Sequence, residues 1–147
     1  MKKMMVALAM ILTMSSITAF AGDGDVSAKV LNAFQQDFSS AAEVKWTEGD
    51  NYYKASFIYN SQFVSAYYSI DGELYGVTRY ISSLDLPLNL LMSLKKDYSQ
   101  FWITDLFELS KKEGTSYYIT LEDADTKFVL KASDGSDWTT YKKIKKT

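Results

Sequence analysis

Neither cysteine nor histidine occurs among the 147 residues, and proline occurs once. Those two absences exclude Ser-His-Asp and Cys-His nucleophilic sites, zinc sites of ordinary composition, haem ligation by either residue and thiol redox chemistry. They also leave the chain without a disulfide, so stability must come from burial of aromatic and aliphatic side chains. No glycine-rich loop precedes a lysine, so no segment is suited to cradle a phosphate. Long apolar runs are missing too. The longest, Met4 to Ile17, is interrupted by Thr13, Ser15 and Ser16 and falls short of the ~20 apolar residues that a spanning helix wants. Because it follows Lys2-Lys3 and precedes Ala19-Phe20-Ala21, residues 1–21 read as a secretory signal peptide cleaved after Ala21.

A periplasmic or secreted protein of residues 22–147 is therefore expected, folded as one domain with one core and no integral membrane segment. Without the leader, fourteen basic residues stand against eighteen acidic ones, a net charge of −4. Nucleic-acid binders normally show a basic excess, so no nucleic-acid partner is expected. The single basic cluster, Lys142-Lys143-Ile144-Lys145-Lys146, reads first as a solvated end that keeps the last strand soluble. Contact with anionic lipid or another acidic surface is the alternative reading of that tail.

What the chain has in abundance is aromatic residues: eleven tyrosines, eight phenylalanines and three tryptophans. They fall in a pattern that occurs twice. Leu31, Phe34 and Phe38 have the spacing of one apolar helix stripe, as do Leu91, Leu94 and Tyr98. Ser27 or Asp25 can cap the first helix, and Asp85, followed by Leu86-Pro87, can cap the second. After the first helix come EVKWTE, YYKASFIY, QFVSAYYSI and LYGVTRYI; after the second come ITDLFEL, SYYITLE, KFVLKAS and WTTYKKI. Turn residues separate the members of each series. The expectation is an α+β fold built by tandem duplication of one helix plus four antiparallel strands. Repeat 1 would cover about 27–81 and repeat 2 about 84–146. Both helices would lie on one face of an antiparallel sheet, leaving the other face open.

Period two assigns the faces. A two-residue Asn60-Ser61 turn pairs Phe57 with Val64, Ala55 with Ala66 and Tyr53 with Tyr68 on the helix side. Tyr52, Lys54, Phe63 and Tyr67 then share the opposite face. In the second half the same logic pairs Leu121 with Phe128, Ile119 with Leu130 and Glu122 with Lys127, with the opposite parity. Tyrosine combines an apolar body with a polar tip and is enriched at binding hot spots, so Tyr52, Lys54, Phe63 and Tyr67 are the candidate partner-binding residues. No catalytic residue is assigned: the carboxylates cluster in turns, where they serve turn chemistry and solubility. No cofactor or metal is assigned either. From Asp123, the positions where a calcium loop wants an oxygen ligand and a glycine hold Lys127 and Phe128.

The run LPLNLLMSLKKDYSQFWITDLFEL, followed by SYYITLED, KFVLKAS and DGSDW, resembles the PepSY-like, β-lactamase-inhibitor-like proteins exported by Bacteroidetes. The first half, from VLNAFQQDFSSAAEVKW through YYSIDGEL, follows the same scheme. The resemblance implies a secreted tandem repeat without a cofactor that presents a sheet face to a protein partner, as an inhibitor or regulator of an envelope enzyme. The chain departs from the name-giving inhibitors in having no disulfides, and no inhibitor contact motif transfers residue by residue. The alternative function is that of a small apolar ligand binder with a pocket between helices and sheet.

Overall fold

The computed structural model describes residues 18–20, 25–133 and 135–146, with residues 18–20 described in their backbone alone. The leader assignment otherwise lies outside the described residues, as do Asp23 and Asp134 of two acidic turns. The chain divides into two compact units, residues 1–77 and 78–147.

In the first unit a short strand β1 (Thr18–Phe20) is followed by helix α1 (Ala28–Asp37). Then come β2 (Ala42–Gly49), β3 (Tyr52–Tyr59), β4 (Gln62–Ser69) and the start of β5 (Leu74–Tyr80). Ser27 caps α1, its hydroxyl accepting from the Val30 amide at 3.4 Å. At the other end Tyr68 Oη donates to Asp37 Oδ2 at 2.9 Å, tying the last turn of the helix to β4. The apolar stripe of α1 enters a core of Val30, Phe34, Trp46, Ala55, Phe57, Val64, Ala66 and Tyr68. Phe34 stands at its centre, edge-on to Trp46 at 5.2 Å and to Phe57 at 5.1 Å, geometries favoured by the ring quadrupole.

The β3–β4 register is the one period two assigns: Phe57 opposite Val64, Ala55 opposite Ala66, Tyr53 opposite Tyr68. Asn60 and Ser61 both take positive φ, 49° and 65°, the backbone of a hairpin turn whose twist matches that of its strands. On β2, Glu43 also takes positive φ, 53°, where the register with β3 shifts between Ala42 and Lys45, as in a bulge.

In the second unit a single 3₁₀ turn (Ser83–Asp85) leads to helix α2 (Leu88–Asp97). The strands that follow are β6 (Trp102–Lys111), β7 (Gly114–Glu122), β8 (Thr126–Ser133) and β9 (Thr139–Lys145). Asp85 does not cap α2 as expected. Its carboxylate turns back to accept from the Ser82 amide and hydroxyl, both at 2.9 Å, and Pro87 occupies the N-cap. These hydrogen bonds hold the Asp85 carboxyl below its ordinary pKa. The core beneath α2 comprises Leu86, Leu90, Leu94, Leu106, Tyr117, Ile119, Leu121, Leu130, Ala132 and Trp138. Trp138 also donates its indole N–H to the Leu90 carbonyl at 3.1 Å. Leu121 lies opposite Phe128, Ile119 opposite Leu130 and Glu122 opposite Lys127. Glu122 is held more closely by Lys146, at 2.7 Å, than by Lys127, at 4.0 Å.

Expectations about the architecture are overturned as well. Two core clusters form, one under each helix, where a single core was expected. More fundamentally, the described residues form an antiparallel β structure of eight long strands with only two short helices, not a duplicated helix-plus-four-strand unit. The recurring letters do not recur as structure. Tyr53 packs toward the first core and Tyr52 away from it, whereas in the second unit it is Tyr117, the counterpart of Tyr52, that enters the core. A slip of one residue in a period-two strand exchanges its two faces. The strand-end turns differ accordingly: Asn60-Ser61 is a two-residue loop, while Asp123-Ala124-Asp125 holds three residues between β7 and β8. The face away from the helix is not simply open either, since several of its aromatic residues are buried.

Candidate functional site

The β3–β4 hairpin shows its off-helix face as a ladder of cross-strand pairs. From the tip inward these are Ile58 with Phe63, Ser56 with Ser65, Lys54 with Tyr67, and Tyr52 with Ser69. All four candidate residues lie on this face. Phe63 sits at the tip with 75 % of its surface exposed. Tyr52 and Tyr67, at 5 % and 7 %, are buried. Their rings approach to 6.0 Å, and Lys54 Nζ lies 5.7 Å from the Tyr67 ring centre, a cation–π arrangement. Burial lowers the pKa of Lys54 and raises that of Tyr52, to which nearby Asp50 adds. Lys54 and Phe63 are four residue steps apart along the hairpin, roughly 14 Å. The structure thus brings Tyr52, Lys54 and Tyr67 into one cluster and leaves Phe63 at the far end of the strip.

Three further residues of this face are not among the candidate binding residues. Ser56 and Ser65 hydroxyls meet at 3.3 Å between the two aromatic ends. Thr47 on β2 lies opposite Lys54, and its hydroxyl is buried with no hydrogen-bond partner among the described residues. Period two marks Ser56 and Ser65 as companions of Lys54. Thr47 is found only through the β2–β3 register, which runs unbroken from the Asp50-Asn51 turn as far as Lys45. Gly49 completes the floor: the Tyr52 ring lies against its Cα, in the space where a side chain would stand.

The second unit carries a related cluster. On the face away from α2, Phe107 stacks on Tyr118 at 5.1 Å with 13° between the planes, and Tyr141 meets Tyr118 edge-on at 5.5 Å. Lys131 lies 5.7 Å from the Tyr118 ring centre. Burial raises the Tyr118 pKa, and Tyr141 adds to it. In each unit, then, a lysine stands over a buried tyrosine on the sheet face that its helix does not cover. At the β7–β8 turn the Asp123 carboxylate accepts from the Asp125 amide at 2.9 Å and from the Thr126 amide and hydroxyl at 2.7 and 2.8 Å. All three go to Oδ1, which serves the turn, as expected of an aspartate there.

No family model matches the chain, and no curated protein matches it in sequence. Solved structures share its fold. A BLIP-like protein from Bacteroides fragilis superposes with a TM-score of 0.72 at 18% identity, covering 82% of this chain and 88% of that one. A protein from Bacteroides eggerthii, provisionally assigned to the periplasm, gives 0.75 at 15% identity and covers 83% and 91%. A DUF2874 family protein from Bacteroides uniformis gives 0.72 at 14% identity and covers 81% and 88%. At these identities the likeness is one of fold. The β-lactamase-inhibitor-like side of the sequence resemblance thus has a structural counterpart; none of these three is described as PepSY-like. Among the described residues no helix is long and apolar enough to cross a membrane.

Proposed function

We propose that the chain is an exported, non-catalytic binding protein of the periplasm or extracellular space. It engages a protein partner, an envelope enzyme that it inhibits or regulates, through sheet surface not covered by its helices. The observation that carries this reading is that in each unit a lysine stands over a buried tyrosine on the face its own helix does not cover, with exposed Phe63 at the tip of one hairpin. A rigid aromatic base that holds a charged head is a preorganised contact, and few such contacts dominate binding energy. The fold likeness to a BLIP-like protein supports the protein-partner class, and the N-terminal pattern supports export. Tyr52 and Tyr67 act as the buried support; Lys54 and Phe63 are the groups that reach a partner. An apolar ligand between helix and sheet is less favoured, because Phe34, Trp46, Phe57 and Tyr68 fill that space in the first unit.

The test is affinity capture from the native envelope followed by mass spectrometry, repeated with Phe63→Ala and Lys54→Ala. Phe63→Ala is expected to weaken capture by ~2 kcal/mol, the loss of an aromatic anchor, with an unchanged unfolding midpoint. Lys54→Ala is expected to slow association and reduce its salt dependence more than it changes final affinity. Capture that survives both substitutions unchanged would refute the assignment of this face.

A further inference from the structure

The outward face of α2 is apolar where that of α1 is polar. Leu88 and Met92, one turn apart, are 73 % and 58 % exposed, and Leu84 in the preceding 3₁₀ turn is 80 % exposed. One turn beyond Met92 the row ends in exposed Lys95 and Lys96. The corresponding positions of α1 hold Ala28, Asn32, Gln35 and Gln36, so an apolar outer row is not a requirement of a helix packed on this kind of sheet. The inward residues Leu90 and Leu94 already supply the contact with the core.

Charge follows the same division. Residues 22–77 hold three basic and eight acidic side chains, net −5, while residues 78–147 hold eleven and ten, net +1. β9 contributes exposed Lys143 and Lys145. Lys143 lies opposite Phe128, which packs beside Tyr98 at the end of α2, so this lysine is on the helix side of its sheet. The acidic groups of that side keep their charge, but they are tied to turns or lie off the exposed face of the helix. Asp85 is bound to Ser82, and the Asp123 carboxylate is taken up by its own turn; Asp97 sits on the flank of the helix, past the lysines, and Asp137 in the loop that precedes β9.

From this geometry we infer that exposed Leu88 and Met92, with Leu84 in the turn before them, Lys95 and Lys96 one turn on and Lys143 on the same side of the sheet, form a peripheral docking surface for an anionic phospholipid bilayer. Apolar side chains inserted at the headgroup boundary with lysines alongside are the chemistry of interfacial helices. A second copy of the chain fits less well: three side chains cover far less than the ~800 Å² per partner of a stable interface, and pairing would bring like-charged lysines together. The surface belongs to the second unit and shares no residue with the strip of Lys54 and Phe63, so it stands or falls independently of the proposed partner face.

The experiment uses the full chain and, in parallel, the chain from Gly22 onward, which lacks the apolar leader and β1, so that binding common to both does not come from the leader. Vesicles of phosphatidylglycerol and phosphatidylcholine in equal parts are compared with phosphatidylcholine alone by flotation, with analytical sedimentation in parallel. The protein is expected to float with the anionic vesicles, and less so as salt is raised. Leu84→Ser, Leu88→Ser and Met92→Ser together should cost at least about tenfold in partitioning while the circular dichroism stays unchanged. Lys95→Gln with Lys96→Gln should weaken binding and flatten its salt dependence, and a tryptophan introduced as Met92→Trp should shift its emission to the blue only with anionic vesicles. Failure of the unaltered protein to float, equal flotation of the serine variant, equal binding to neutral vesicles, or a dimer that forms without vesicle binding would each overturn the proposal.

Discussion

Tyr68 does two jobs with one side chain. Its ring is buried in the first core against Phe34 and Trp46, and its hydroxyl donates to Asp37 at the end of α1. Burial first, and then the Asp37 carboxylate, raise the phenol well above its ordinary pKa of 10. A group whose pKa is raised in the fold contributes stability that is fully present below the unfolded value and is lost as pH climbs above it. Unfolding titrations should therefore show stability declining above about pH 10, and Tyr68→Phe should make that decline shallower. At neutral pH the same substitution should cost only ~1 kcal/mol, since the ring keeps its packing and exposed Asp37 regains water. The face of each such residue was legible in the sequence, because strand alternation assigns faces. Its depth was not: Tyr52 and Tyr67 share the face of exposed Phe63, yet are buried, because depth depends on neighbours across the ladder such as Gly49.

Elements are governed by their ends. Ser27 was readable as the cap of α1 because a hydroxyl before an apolar stripe has one good use there. Asp85 was not readable as a turn residue, since Ser82 competes for the same carboxylate and wins by two hydrogen bonds. The outer row of α2 escaped notice for a similar reason: Leu88 and Met92 look like core in a run with three other leucines, and only the packing of Leu90 and Leu94 decides which side is inside. Ser61 offers a test at this scale. Its φ of 65° is a conformation in which a β-carbon is crowded. Ser61→Gly should stabilise the hairpin by ~0.5 to 1 kcal/mol, measured as a higher denaturant midpoint with an unchanged slope. A lower midpoint would show that the serine makes a contact worth more than its backbone strain.

Over the whole molecule, the antiparallel hairpins and both helices were foreseeable from periodicity. The tandem duplication expected from the same letters is not what forms: matched letters at matched offsets do not make matched units, and the opposite parity of the second half, with its Tyr-Tyr pair turned the other way, was the sign of it. Each helix instead has its own core. Phe34→Ala, which removes the ring that touches Phe38, Trp46, Phe57 and Tyr68, should cost ~3 to 5 kcal/mol. Hydrogen exchange should show protection lost chiefly across residues 28–69 rather than 88–145, because local opening follows the contacts that close it. Both clusters are also continuous in the chain: one draws its residues from Val26 to Val77, the other from Ile81 to Trp138. For a polypeptide exported as proposed, threaded through a membrane from its N-terminus, that arrangement is a schedule. The half that arrives first holds every partner its core requires before the other half has crossed, so its aromatic residues can be sequestered while the rest of the chain is still in transit.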